Sequence, residues 1–196
     1  MKSSTKFTLV MLALSLAVPA AARAESSTVS GGANLSTTAH VDFSIIIPRV
    51  LFLRIGALGA GIDAIVFTVP AANVGNGTPV AGTGGDLTLG QVTAVVQANG
   101  NANVQLKADA TGALTNASGD TINYSQINTA SNNGSLPAPV LNNATSGTIT
   151  VNAVGKIVNQ SAVWTYSYLN SAVVPAGTYG STVALNGRIT YTATLP

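Results

Sequence analysis

A single histidine, His40, and six carboxylates are the side chains of this sequence best equipped for acid–base or metal chemistry, and there is no cysteine. A metal centre needs three or four ligands brought together, and His40 has neither a second imidazole nor a thiol to join it. A Ser–His–Asp set would have to be built around His40, and no Gly-x-Ser-x-Gly elbow presents a nucleophile. A glycosidase pair would need the fold to assemble two carboxylates, for instance Asp109 with Asp120. Asp120 follows Gly119, a setting that favours turn formation. Gly82-Thr83-Gly84-Gly85 lacks the Gly-Lys-Ser/Thr ending of a phosphate loop, and Gly155-Lys156-Ile157 fails the same test. The residue types therefore predict no enzyme, no cofactor and no metal, with His40 an ordinary surface or sheet-edge residue.

One aromatic cluster remains. Trp164, Tyr166 and Tyr168 recur at every second position, which puts the three rings on one face of a strand. Such a face could stack against a sugar. Its neighbours offer no charged group to orient one, so filling or covering a core is the expected role.

The elements that would hold these residues are strands. From Val183 to Leu195, apolar residues at odd positions alternate with Ala184, Asn186, Arg188, Thr190, Thr192 and Thr194, the period of a half-buried strand. Val163 to Leu169 and Ala102 to Ala108 alternate in the same way. Thr148 to Val154, Ile62 to Val69 and Val50 to Ile55 are predicted as further strands, and Asp86 to Gln97 as one bent near Gly90. His40 to Ile47 alternates through Val41, Phe43, Ile45 and Ile47 and runs into Pro48, which cannot donate to a ladder and marks an edge, bend or strand switch. Asn, Gly and Pro separate these runs, and Asp120 to Asn128 reads as a turn or short helix. The pattern predicts an all-β sandwich domain.

The start of the chain reads as a secretory signal peptide over residues 1–24. Lys2 and Lys6 supply positive charge, Phe7 to Val18 is apolar, and Ala22-Arg23-Ala24 offers small residues for cleavage. The apolar run is shorter than the ~20 residues of a membrane span. The chain beyond it fits one domain, expected to be exported with no membrane span after signal removal. Its basic residues are Arg49, Arg54, Lys107, Lys156 and Arg188, against six carboxylates, so the basic balance of the whole chain belongs to the leader. No basic cluster is left to neutralise a phosphate backbone, which argues against nucleic-acid binding. Without cysteine, the domain must hold together by core burial and sheet pairing.

Thr28-Val29-Ser30-Gly31-Gly32-Ala33-Asn34-Leu35 carries the one family resemblance. It is similar to the N-terminal extension of chaperone–usher pilus subunits, where a Thr-Val-Asn-Gly-Gly-Thr type sequence precedes the first core strand. The resemblance implies an immunoglobulin-like β-sandwich that is incomplete and is completed by a donor strand from the next subunit. Carried over by position, Val29, Ala33 and Leu35 are groove-filling side chains and Gly31 is the small one. A short alternating strand on a Gly/Ser-rich tether cannot bury its own apolar face, whereas addition to another chain's edge would bury it. Two departures stand out: many such subunits carry a disulfide, and they commonly end on a tyrosine next to last, while here Tyr191 lies five residues before the end.

The organisation expected is a signal peptide at 1–24, a flexible extension with the candidate donor strand at 25–36, and a β-sandwich domain at 37–196. The function expected is a structural subunit of a fimbria-like surface filament, assembling by strand exchange and serving adhesion. Its partners would be copies of itself or related subunits, a periplasmic chaperone and an outer-membrane usher. It would reach the cell surface or the medium through the periplasm. The competing reading is a self-contained secreted or envelope β-sandwich binding module, for instance for carbohydrate. An eight-stranded outer-membrane barrel is disfavoured by an aromatic content of 5%.

Overall fold

Strand forms where the period-two alternation coincides with β-branched and aromatic residues, and it stops at Asn, Gly and Pro. The computed structural model describes residues 25–196; the signal-peptide reading lies outside the described residues. The described chain divides into two units, residues 25–47 and Pro48–Pro196. All of the strands belong to the second.

In chain order the strands are β1 (Leu51–Ile55), β2 (Ile65–Val66), β3 (Val80–Ala81), β4 (Thr83–Gly84), β5 (Gln91–Ala98) and β6 (Val104–Ala110). They continue with β7 (Leu114–Thr115), β8 (Thr121–Ile122), β9 (Ile127–Ser131), β10 (Ile149–Val151), β11 (Val158–Tyr168) and β12 (Ile189–Thr194). Every pairing is antiparallel. The fold is all-β.

Two sheets dominate. The larger is built on β5 and β11, which pair from Val158↔Ala98 to Thr165↔Gln91. β1 adds outside β5, and β3 and β9 complete it along β11. The smaller has the order β10-β6-β12. Their inward side chains share one core: Val92, Ala94, Val96 and Trp164 from the first sheet, Val104, Leu106, Ala108 and Val151 from the second. Trp164 lies against Tyr191 of β12, with ring centroids 5.5 Å apart and planes tilted by 48°, a separation at which aromatic pairs attract beyond their burial.

The strand nearest its sequence expectation is β1, Leu51–Ile55 against Val50–Ile55; β11 begins five residues before the expected Val163, and its aromatic face is buried. In several other places the alternation runs further than the ladder. Val183–Leu185 forms a 3-10 turn, and Asn186, left-handed at φ 56°, separates it from β12. The expected strand at Ile62–Val69 shrinks to β2, and Thr148–Val154 to β10. Before β5, Thr88, Leu89 and Gly90 all have positive φ (64°, 50° and 69°), so the bend expected near Gly90 is a chain reversal rather than a bent strand. Tyr124–Gln126 is a 3-10 turn, as the sequence implied for that stretch. His40–Ile47 forms no strand: it alternates correctly but has no partner to pair with.

Candidate functional site: an exposed arm and an open sheet edge

Three of the six carboxylates are committed to loops. Asp63 Oδ2 accepts the Ala57 N–H at 2.6 Å, and Asp86 Oδ1 accepts the Thr93 N–H at 2.8 Å. Asp120 Oδ2 accepts from the Asn116 side-chain amide at 2.9 Å, while Asn116 Oδ1 receives the main-chain N–H groups of Ser118 and Asp120. These are turn-stabilising roles. Asp109 lies on β6, bridged to Thr145, away from that turn in the sheet order. Among the described residues no group of three or more His, Asp or Glu is gathered as metal ligands would be.

The aromatic face is inside. Trp164 is fully buried and donates its indole N–H to the Leu136 carbonyl at 3.1 Å; Tyr166 and Tyr168 are 6% exposed. A sugar could not reach them. Tyr166 and Tyr191 share a hydroxyl–hydroxyl hydrogen bond of 2.8 Å. Burial pushes the Tyr166 hydroxyl up to about 12 and that of Tyr191 well above its ordinary value, with Tyr166 adding to the rise. A shallow depression of about 290 Å³ over Val50, Phe52, Gln97, Ile157 and Asn159 is open and mostly apolar. It offers a ligand no charged group and one aromatic ring.

The arm, residues 25–47, is exposed throughout. His40 Nδ1 and Glu25 Oε2 meet at 2.8 Å, two exposed side chains in a contact of little energetic weight. The four candidate donor residues fall where the backbone turns. Gly31 to Ala33 form a bend, Gly31 has φ 152°, and Asn34 is left-handed at φ 66°. Across this bend Gly31 faces Leu35, whose Cδ2 lies 3.8 Å from where a Cβ on Gly31 would stand. Val29 and Leu35 are about half exposed. Further along, Val41, Phe43, Ile45, Ile46 and Ile47 are between 75% and 92% exposed. No bend, turn or left-handed residue interrupts the chain from Ser36 to Val50.

In the unit Pro48–Pro196, the sheet margins are unequal. β12 pairs β6 alone, so its other side carries unpaired backbone groups, and β1 likewise pairs β5 alone. These two edge strands approach one another. At one end the Arg49 guanidinium donates to the Leu195 carbonyl at 3.4 Å and to the Pro196 main-chain oxygen. The core-facing row of β12, Ile189, Tyr191, Ala193 and Leu195, is only partly buried. The paired row on β6 is closed: Leu106, opposite Ala193, and Ala108, opposite Tyr191, are 0% and 2% exposed. The core is thus covered up to β6 and thins out at β12. Long, apolar, unpaired edges are templates for pairing with another chain.

Sequence alone marks the apolar alternation of both Val41–Ile47 and β12. It does not show that the first lacks a partner or that the second has only one, because pairing is decided by strands far away in the chain. Compared with known proteins, the chain matches no protein-family model, no curated protein and no solved structure.

Proposed function

We propose that this protein is an exported structural subunit of a fimbria-like surface filament, built as an incomplete immunoglobulin-like sandwich and assembling by strand exchange. The observation that carries the reading is the coexistence of an exposed, apolar, strand-less arm with a β edge, β12, which pairs on one side only and whose core-facing row is incompletely buried. Each leaves apolar surface and backbone hydrogen-bonding groups unsatisfied, and a strand added from another subunit satisfies both. Two faces of the arm are available: Val29, Gly31, Ala33 and Leu35, on which the pilus-subunit resemblance rests, and Val41, Phe43, Ile45 and Ile47.

On this reading the protein has no catalytic role and passes through the periplasm to the cell surface. There it serves adhesion among copies of itself or related subunits. A chaperone and an outer-membrane usher are the natural partners, since an edge this open needs cover before assembly. The competing module reading loses its main support with the burial of Trp164, Tyr166 and Tyr168.

The test is the assembly state of the purified mature protein. A ladder of polymers on size exclusion that survives unheated in detergent supports the subunit. A stable monomer that binds immobilised polysaccharide supports the module instead.

A further inference from the structure

The sequence contains four Asn-Gly pairs: Asn76-Gly77, Asn99-Gly100, Asn133-Gly134 and Asn186-Gly187. Such pairs are chemically labile, because glycine has no side chain to shield its main-chain nitrogen from the asparagine amide before it. We propose that Asn76-Gly77 is a latent deamidation site, held closed in the folded protein by Asn170. The site lies wholly within Pro48–Pro196 and is independent of assembly.

The reaction consumes only water. The Gly77 nitrogen gives up its proton and attacks Asn76 Cγ; the bond from Cγ to Nδ2 breaks, and ammonia leaves with that proton. The cyclic imide left behind adds water at either carbonyl and opens to aspartate or isoaspartate. Ring closure thus needs a free Gly N–H, a side chain free to swing onto it and an amide free to depart.

The fold withholds these differently at each pair. At Asn186 it withholds all three: the Gly187 N–H donates to the Thr182 carbonyl at 2.7 Å, Oδ1 accepts the Thr111 hydroxyl and Nδ2 donates to the Ala113 carbonyl, both at 2.9 Å. Asn99 and Asn133 are tied through the departing amide, which donates to the Pro48 carbonyl at 2.8 Å and the Ser161 carbonyl at 2.9 Å. Their side-chain oxygens are held as well, by the Val50 and Ser135 N–H groups at 2.7 and 2.9 Å. Asn76 is different. It is exposed, as is Gly77, and among the described residues its amide nitrogen has no partner. What holds it is the Gly77 N–H on the Asn170 carbonyl at 2.9 Å and the Thr78 N–H on Asn76 Oδ1 at 2.8 Å.

Both restraints depend on Asn170. Its side chain accepts the Gly75 N–H at 2.8 Å and donates to the Asn73 carbonyl at 2.6 Å, so the loop is fastened before the labile peptide by the side chain and at it by the main chain. Nothing else anchors that loop by burial: no residue from Ala71 to Pro79 is buried. Segments with few buried contacts open locally without global unfolding, and attack on an open segment follows its open population. Asn170 is a positioning residue: it keeps that population small and takes no part in the bond changes.

The test is peptide mass spectrometry with isoaspartate detection on mature protein aged in mildly alkaline buffer, folded or in urea. Asn170→Gly removes the side chain and tolerates the left-handed backbone, φ 51°, at that position. All four pairs should convert in urea, and Asn76 about tenfold or more slower in the native protein. In Asn170→Gly, Asn76 should speed up about tenfold or more, giving isoaspartate as well as aspartate, while Asn186 stays at its native rate. Asn186 is the internal control for global unfolding. Graded urea on the parent protein supplies the same comparison without a variant: Asn76 should begin converting at lower urea than Asn186. Native conversion at Asn76 as fast as in urea overturns the proposal, as does an Asn170→Gly variant whose Asn76 keeps the native rate. Simultaneous onset at Asn76 and Asn186 in graded urea overturns it too, since the loop would then open only with the whole domain.

Discussion

Trp164 was legible as a residue that needed company: a ring in a period-two run must be covered by something, and its covering is the core. The Leu136 carbonyl that takes its N–H, and Tyr191 beside it, fix the ring on both polar and apolar sides. Replacing Trp164 by Ala should cost about 3–5 kcal/mol in urea denaturation, and by Phe less. Asn170, by contrast, carries no signal in its surroundings in the sequence. It is 1% exposed, accepts the Gly75 N–H at 2.8 Å and donates to the Asn73 carbonyl at 2.6 Å. Its partners are nearly a hundred residues away, so only the fold reveals it as the clamp on the Asn73–Thr78 loop. Asn170→Ala leaves the partly buried Gly75 N–H and Asn73 carbonyl without this partner and should lower stability by about 1–3 kcal/mol, read from the same denaturation curves. His40→Ala should leave both stability and assembly unchanged, because its one contact is with an exposed carboxylate.

At the scale of elements, alternation located most of the longer strands but missed β9 (Ile127–Ser131), placed one at His40–Ile47 that does not form, and misjudged several ends. β11 reads cleanly because both its flanks are sheet: β5 on one side, β9 and β3 on the other. The stretch before β12 has the same alternation, but left-handed Asn186 turns the chain there, and Tyr124 caps that turn by donating its hydroxyl to the Asn186 carbonyl at 2.6 Å. Packing from a distant segment overrode the local period there. The two tyrosines that link β11 and β12 give this region a pH signature. Burial raises Tyr166 from 10.0 to about 12, so the folded state holds that proton more tightly than the unfolded chain does. Stability is then complete below pH 10 and declines as pH rises from 10 to about 12, by roughly 2–3 kcal/mol from Tyr166 alone. Thermal unfolding followed across that range should show the fall, and Tyr166→Phe should make it shallower, with buried Tyr124 and Tyr191 keeping part of it. An unchanged slope in Tyr166→Phe would place the alkaline transition elsewhere.

For the molecule as a whole, the sequence made the all-β class legible and left the open edge hidden, since which strand ends up with one partner depends on every other pairing. If the chain assembles by the proposed strand exchange, that edge also sets the energetics of assembly. Burying Val41, Phe43, Ile45 and Ile47, each at least 75% exposed, contributes about 1.5–3 kcal/mol per side chain, or about 6–12 kcal/mol together. Association of two proteins costs about 4–15 kcal/mol before any contact is counted. The side chains alone roughly offset that cost, so the proposed filament would also have to draw on a hydrogen-bond ladder along β12 and on the covering of its partly buried row. None of these terms is an ion pair. The only charge within Val41–Ile47 is Asp42, and β12 has none. Assembly should therefore be indifferent to screening: in about 1 M salt, where the screening length is about 3 Å, polymer length on size exclusion should match that at low salt or exceed it. A steep shortening with salt would mean that charge pairs hold the subunits, and would count against strand exchange between the apolar arm and β12.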